Sequence, residues 1–286
     1  MSFCFVLPAR QSIAQTLPKV RKNVIIKNLS KGIKMKKYIV ITGASSGIGA
    51  ATAKAFAGRG ENLILIARRA ELLQSLKDEI AQIVPEPDAI IKICDLANSK
   101  NVLALWEELK NYELKALINN AGFGDYGAVG EQNLDKTEQM LQLNVVALTL
   151  LSSLFARDYK YKPAQLINIS SAGGYSIVPN AVTYCASKFF VSAFTEGLHR
   201  ELAQDKEAKM QAKVLAPAAT KTEFGSVATG DADYDYDAAF KRYHSSEEMA
   251  EFLLALYDSD ACVGAVNRDS FEFSLSKPRF DYAGKR

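Results

Sequence analysis

From Lys37 onward, short runs of aliphatic and β-branched residues alternate with longer stretches whose apolar positions recur at helical spacing. This is the pattern of repeated βα units around a parallel sheet. The runs Tyr38–Thr42, Leu63–Ala67, Ala89–Cys94, Ala116–Asn119, Gln165–Ser170, Gln211–Leu215 and Cys262–Val266 are read as strands. Between them, Gly47–Gly58, Ala70–Val84, Ser99–Asn111, Leu134–Asp158, Thr183–Gln204 and Ser246–Tyr257 are read as helices. Because the two kinds of segment alternate without a break, the expected architecture is one doubly wound α/β domain over residues 35–286, with about seven parallel strands and helices on both faces.

Two segments depart from this rhythm. Leu134–Asp158 is apolar almost all round (Leu141, Leu143, Val145, Val146, Leu148, Leu150, Leu151, Leu154, Phe155), so the core or another subunit must bury it. A homodimer or homotetramer is the simpler of those two explanations. Residues 217–245 form the one long irregular stretch, and loops of that length inside a compact domain are more often functional than accidental. The segment is read as a lid over a substrate site, against the plainer alternative of a solvated excursion.

Composition narrows the function classes. With 286 residues, 48% of them hydrophobic, the chain can bury a sizeable core, and a net charge of +3 is too small to argue for nucleic acid. The excess lies at the front: no Asp or Glu precedes Glu61, whereas Arg10, Lys19, Arg21, Lys22, Lys27, Lys31, Lys34, Lys36 and Lys37 do. Met1–Lys34 is open to three readings: a transit peptide, a basic binding arm, or an upstream extension of a chain starting at Met35. The last is favoured because Met35 stands directly before the first strand. Cys4, Cys94, Cys185 and Cys262 are widely spaced, which suggests a reducing, cytoplasmic setting and neither a disulfide framework nor a metal site. No uninterrupted apolar run approaches the ~18 residues of a membrane span, so none is expected.

Directly after the first strand comes Thr42-Gly43-Ala44-Ser45-Ser46-Gly47-Ile48-Gly49, and a helix opens within it. Its glycines permit a tight turn and close backbone approach, while the helix N-terminus offers free N–H groups to a pyrophosphate, as in Rossmann-type sheets. The same residues spell G-x-S-x-G, the nucleophile elbow of hydrolases. That reading lacks support, because His199 and His244 are the only histidines and the turn follows the first strand. After the second strand, Arg68 and Arg69 stand where an NAD enzyme places an acid on the ribose, and guanidiniums there suit the 2′-phosphate of NADP(H). A merely capping role for these arginines is weakened by the unfavourable placement of cations at a helix N-terminus.

Of the twelve tyrosines, only Tyr184 is followed four residues later by a lysine, Lys188, inside a predicted helix. One helical turn puts phenol and ammonium on the same face. A phenol with an ordinary value near 10 is a poor base at neutral pH, and lowering it by ~3 units takes about 4 kcal/mol. An adjacent lysine and a nicotinamide cation are expected to supply that together. Ser170-Ser171 and Asn119-Asn120-Ala121-Gly122 end strands and so face the ligand crevice, while Asn144 is the odd polar residue in the greasy helix.

In order and spacing, Thr42-Gly43-x-x-x-Gly47-x-Gly49, Asp95, Asn119-Asn120-Ala121-Gly122, Asn144, Ser171 and Tyr184-x-x-x-Lys188 resemble the short-chain dehydrogenase/reductase family from Lys37 to about Val266. The resemblance implies that Tyr184 exchanges a proton with the substrate oxygen, Ser171 orients that oxygen, Lys188 holds the ribose and Asn144 completes a relay through water. It also implies a cofactor site built from Gly43, Ser45, Ser46, Gly47, Ile48, Gly49, Arg68, Arg69, Asp95, Leu96, Asn120, Ala121, Gly122, Tyr184, Lys188, Pro217 and Thr222. The chain departs from the family at Pro217-Ala218-Ala219-Thr220-Lys221-Thr222, where the family usually has Pro-Gly, so the backbone that would bring Thr222 to the carboxamide must do without that glycine. The function implied is NADP(H)-dependent hydride transfer to or from a small carbonyl or alcohol. Tyr175, Ile177, Val178 and Pro179, together with the 217–245 lid, are read as lining the substrate pocket, and Cys185 as buried filler. A 3-oxoacyl-carrier-protein reductase is the rival within that class, and a non-catalytic NADP-binding redox sensor the rival outside it. Extended epimerases share Y-x-x-x-K but need a larger substrate domain than the 98 residues after Lys188 provide.

Overall fold

All seven strands read from the apolar runs are present in the computed structural model, together with an eighth. Residues 36–84 and 88–283 are described, and the readings placed on Met1–Lys34 and on Met35 lie outside them. Contacts divide the chain into Met1–Lys36 and Lys37–Arg286, and the sheet and its helices belong to the second unit. The elements in chain order are β1 (Lys37–Thr42), α1 (Gly47–Gly58), β2 (Asn62–Ala67), α2 (Ala70–Ile83), β3 (Ala89–Ile93), α3 (Ser99–Leu109) and β4 (Glu113–Asn119). There follow α4 (Leu134–Leu141), a π-helical turn (Gln142–Ala147), α5 (Leu148–Tyr159), β5 (Gln165–Ile169), α6 (Val182–Gln204), β6 (Gln211–Ala216), α7 (Phe224–Thr229), α8 (Tyr236–Ala239), α9 (Ser246–Asp258), β7 (Val263–Val266) and β8 (Phe273–Ser276).

The strands form one sheet in the order β3-β2-β1-β4-β5-β6-β7-β8, parallel except for β8. The order reverses between β1 and β4, and that switch point opens a crevice at the strands' carboxyl ends. Alternation along each strand divides the core into two layers. Ile39, Ile41, Leu63 and Leu65 face one side with Phe56, Leu73 and Leu253. Val40, Ile64 and Ile66 face the other with Trp106, Leu151 and Phe155. Both faces of these strands are covered, which is why they read as continuous apolar runs rather than as alternating ones. The edge strand β8 escaped the sequence reading because it is only four residues long and only partly buried.

Leu134–Tyr159 runs as one helix, and the core of this chain buries one face of it. Met140, Ala147, Leu148, Leu151 and Phe155 are buried, while Leu134 and Leu141 face solvent. By length and composition this helix would suffice to span a membrane, which counting uninterrupted runs overlooked. Its buried face packs on the sheet with Trp106, Leu117 and Leu166, the setting of a core helix. Residues 217–245 are also less irregular than expected, since they contain α7 and α8. The two ends of this excursion are zipped together: Lys221 N donates to His244 O (2.8 Å) and His244 N to Ala219 O (3.0 Å).

Candidate active site

At the crevice, the glycine turn is shaped by what a side chain would strike. Gly43 has φ +65°, and a Cβ there would come within 2.8 Å of Ala121 Cα, while one on Gly49 would collide with the Gly43 carbonyl. The turn is braced from β4. Thr42 Oγ1 accepts from the backbone N–H groups of Asn120 and Ala121 (3.0 Å each), and Asn120 Nδ2 donates to the carbonyls of Thr42 (3.0 Å) and Gly43 (3.2 Å). Asn119 points away into a buried network, donating to Ser152 Oγ (3.1 Å) and Asn168 Oδ1 (3.0 Å). Ser46, the N-cap of α1, makes no side-chain cap, so the first-turn N–H groups stay available to an anion.

A cavity of about 670 Å³ opens over this turn. Its walls take in Gly43, Ser45, Ser46, Gly47, Ile48, Arg68, Arg69, Asp95, Leu96, Asn120, Ala121, Gly122, Ser171, Tyr184, Lys188, Pro217 and Thr222, so all but two of the residues predicted for the site line one space. The exceptions are Gly49, which supports the turn from behind, and Asn144. The cradle of glycines, the open helix end and the arginines after β2 fit a dinucleotide.

Ser171 follows β5 and accepts from Gly173 N (3.0 Å), whereas its neighbour Ser170 is committed inward to Lys188 O (2.9 Å) and Ser192 Oγ (2.7 Å). On α6, Tyr184 and Lys188 share a face as their spacing requires, with the Lys188 Nζ 5.9 Å from the centre of the Tyr184 ring. Lys188 is buried and donates to Ile169 O (2.9 Å), and burial pulls its ammonium down to about 8. Burial also pushes the Tyr184 phenol well above its ordinary value, and the neighbouring Ser171 hydroxyl, by hydrogen bonding, is the group that pulls the other way. The expected contribution of Lys188 to lowering Tyr184 is therefore not what the chain's own groups produce. Desolvation of a phenolate in an aromatic wall outweighs it, and the ammonium is turned to a backbone carbonyl.

Asn144 sits in the π-helical turn, buried. It donates to Phe123 O (2.9 Å) and Ser187 Oγ (3.2 Å) and accepts from Phe123 N (3.1 Å). The amide is thus satisfied by protein groups and pins the segment after β4 beside Lys188. Arg69, expected to clamp a phosphate, donates instead to Ser46 Oγ (2.7 Å) and pairs with Glu223 (2.7 Å). Arg68 is exposed and makes no hydrogen bond or ion pair among the described residues, leaving it the guanidinium open to a phosphate. Thr222 lies close over the glycine turn: a Cβ on Gly47 would come within 3.0 Å of its Cγ2.

The far wall corrects the sequence reading most. Of Tyr175, Ile177, Val178 and Pro179, only Val178 lines the cavity. Tyr175 turns away to donate to Glu196 Oε1 (2.6 Å), and Ile177 and Pro179 are exposed. Phe224, Tyr234, Tyr236 and Phe240, from the stretch read as a lid, do line the cavity, joined by Phe123, Tyr126, Lys136 and Arg268. Tyr126 and Phe224 pack against the Tyr184 ring at centroid distances of 6.2 and 5.4 Å. Cys185 is fully buried, as filler.

The sequence profile of the short chain dehydrogenase family matches residues 37–232. The chain belongs to that family. Among curated relatives of this short-chain dehydrogenase is dehydrogenase/reductase SDR family member 11 of Gallus gallus, 30% identical over 251 residues (85% of this chain, 91% of the relative). Another is sulfoacetaldehyde reductase 2 of Chromohalobacter salexigens, 31% identical over 230 residues (77% and 87%). Among solved structures, a short-chain dehydrogenase from Sphingobium yanoikuyae in complex with NADPH superposes with a TM-score of 0.72 at 29% identity, covering 80% of this chain and 87% of that one. The protein is accordingly an NAD(P)-dependent short-chain dehydrogenase/reductase, and the hydrolase-elbow reading of Gly43–Gly47 is set aside.

Proposed function

We propose that this enzyme reduces a small carbonyl compound with NADPH, with Tyr184 as the general acid. The observation that carries this is the convergence of Ser171, Tyr184 and Lys188 on one cavity whose opposite wall is the glycine turn. NADP(H) would be held by the turn and the N-terminus of α1, by Asp95 and Leu96, and by Arg68 at the 2′-phosphate. When bound, it supplies the hydride. Arg68 carries the preference over NAD(H), and the NADPH bound to the Sphingobium relative agrees with it.

A buried phenol that keeps its proton at neutral pH is already in the form that donates to a nascent alkoxide. Ser171 orients the carbonyl oxygen, Lys188 anchors the ribose, and Asn144 fixes the backbone at Phe123 around them. The aromatic wall limits water and suits ketones or aldehydes, and a relative named sulfoacetaldehyde reductase 2 is consistent with that class. Residues 217–245 act as a lid, and the partly exposed Phe190–Phe194 stack on α6 suits the homodimer or homotetramer inferred for this chain.

A panel of aldehydes and ketones followed at NADPH absorbance tests the reading. Tyr184→Phe is expected to lower kcat/KM roughly 100-fold or more; equal NADPH oxidation by wild type and variant would refute the catalytic assignment. Arg68→Asp is expected to weaken NADPH binding roughly 10-fold or more while changing NADH far less. An unchanged cofactor preference would remove the NADP reading. Turnover of an acetoacetyl thioester above the panel would favour the 3-oxoacyl-carrier-protein reductase alternative.

A further inference from the structure

We propose that Arg268 recognises an anionic group on the substrate, so that the preferred carbonyl compounds carry a carboxylate, sulfonate or phosphonate a few carbons from the reacting carbon. This rests on the reductase reading above and specifies its substrate class. Arg268 lies in the turn between β7 and β8 and lines the same cavity as Tyr184. That turn is held firmly. Asn267 Oδ1 accepts from Asp269 N (2.8 Å) and Ser270 N (3.0 Å), and Arg242 Nη1 donates to Ser270 O (3.3 Å).

Four other cations line the cavity, and three of them are already engaged. Lys188 donates to Ile169 O, Lys136 pairs with Asp125 (2.9 Å), and Arg69 pairs with Glu223. That leaves Arg68 and Arg268, neither of which makes a hydrogen bond or ion pair among the described residues. The acids Asp231, Asp233, Asp235 and Asp237 belong to the neighbouring excursion, but none of them lines the cavity. Asp231 and Asp235 accept from backbone N–H groups two residues on, and Asp237 accepts from Tyr243 Oη (2.7 Å).

The two open guanidiniums serve different ends. Arg68 follows β2 and Arg268 follows β7, five strand positions apart in the sheet order, which at ordinary strand spacing is roughly 24 Å. One nucleotide phosphate cannot engage both. Ser171 follows β5, only two positions from β7, so Arg268 stands on the substrate side. The Tyr126 phenol, which packs edge-on against Tyr184, feels the Arg268 charge. An exposed guanidinium at the cavity wall with no acid of its own is open to an oxyanion, and the charge-assisted, bidentate geometry of such a pair gives it strength and direction.

The test compares matched substrates in the full-length enzyme with NADPH: succinic semialdehyde and levulinate against their methyl esters, with acetonylphosphonate as a second anion. Wild type is expected to prefer the anions. Arg268→Met should lower kcat/KM for them roughly 10-fold or more, mainly through KM, with the esters changed less than ~3-fold and Arg268→Lys recovering part of the loss. Glutarate, which has no carbonyl to reduce, should bind the NADPH-loaded protein and bind more weakly after Arg268→Met, so the anion site is read without turnover. Esters reduced with no preference for the anions, or glutarate binding indifferent to Arg268, would overturn the assignment of Arg268 alone. Failure of wild type to reduce either series, with glutarate binding dependent on Arg268, would overturn the reductase reading and leave the anion site standing. Unchanged melting temperatures for both variants are expected, since Arg268 is exposed and unpaired.

Discussion

Two buried lysines, Lys188 on α6 and Lys213 on β6, meet similar conditions and serve different ends. Each is nearly inaccessible, each donates to backbone carbonyls, and in each burial pulls the ammonium down to about 8. Lys213 donates to Leu256 O (3.1 Å), Tyr257 O (3.0 Å) and Ser259 O (2.5 Å), carbonyls where α9 ends, and so acts as a cation at a helix C-terminus. Lys188 makes one such bond and presents its flank to the cavity and to Tyr184. A perturbed titration therefore does not by itself mark a catalytic group. The number of carbonyls already holding the ammonium, and the wall on which it stands, separate the two roles.

The largest expected effect comes from substituting each in turn. Lys188→Met should lower kcat/KM roughly 100-fold or more while the melting temperature moves little, because a single hydrogen bond is lost and a buried charge is relieved. Lys213→Met should leave kcat/KM within about 3-fold but cost about 2 kcal/mol of stability, since three hydrogen bonds to carbonyls are lost at once and, among the described residues, only Leu256 O keeps another donor, from Ser259. Urea unfolding and NADPH-coupled assays on the same preparations read both quantities. A pair of variants that lose activity and stability together would erase the distinction.

A smaller effect sharpens the comparison through pH. The ordinary lysine value is 10.5, and in the fold both stand at about 8, so between those values the unfolded chain binds more protons than the native one. Stability therefore rises with pH across that window and is lowest below it. Tyr38 and Tyr126, pushed up to about 12, add stability that is present below their ordinary value of 10 and lost above it. Wild type and Lys213→Met share those tyrosines, so the difference between the two proteins isolates the lysine. That difference should widen between about pH 8 and pH 9.5. A difference that stays flat would mean that Lys213 titrates as an ordinary lysine.

The same contrast explains what was legible in the sequence. The fold was readable because strands such as β1 and β2, covered on both faces, leave long apolar runs, and β8 was missed because a short edge strand leaves none. The nucleotide half of the site was readable because Gly43–Gly49 and Asn119–Gly122 are each short, sterically constrained motifs at strand ends, although the bonds that join them span the chain. Tyr184 and Lys188 were readable as a helical pair, but the direction in which Tyr184 shifts was not, because it depends on Tyr126, Phe224 and burial contributed by distant segments. The substrate wall was read in part: the 217–245 stretch does line the cavity, but Phe123, Tyr126, Lys136 and Arg268 enter it from segments far apart along the chain and left no local signal. Nor could the sequence tell that Arg69 has a partner in Glu223, since that pair spans two strand ends.

That exposed pair is the counterpoint to the buried lysines and should have the smallest effect. Arg69 and Glu223 bridge the turn side of the cavity to the 217–245 excursion, with side chains about half exposed, 46% and 53%. An ion pair so open to water contributes about 0.5 kcal/mol or less, so Glu223→Gln should barely move the melting temperature. It does free a guanidinium one residue from Arg68. If Glu223 restrains Arg69 from the 2′-phosphate, NADPH should bind about 3-fold more tightly to Glu223→Gln, with NADH unchanged, because only a phosphate gains from the released charge. The alternative is that the bond from Arg69 to Ser46 Oγ suffices to hold the guanidinium in place. Titration of both nucleotides against wild type and variant decides between them, since in that case the two affinities would shift equally or not at all.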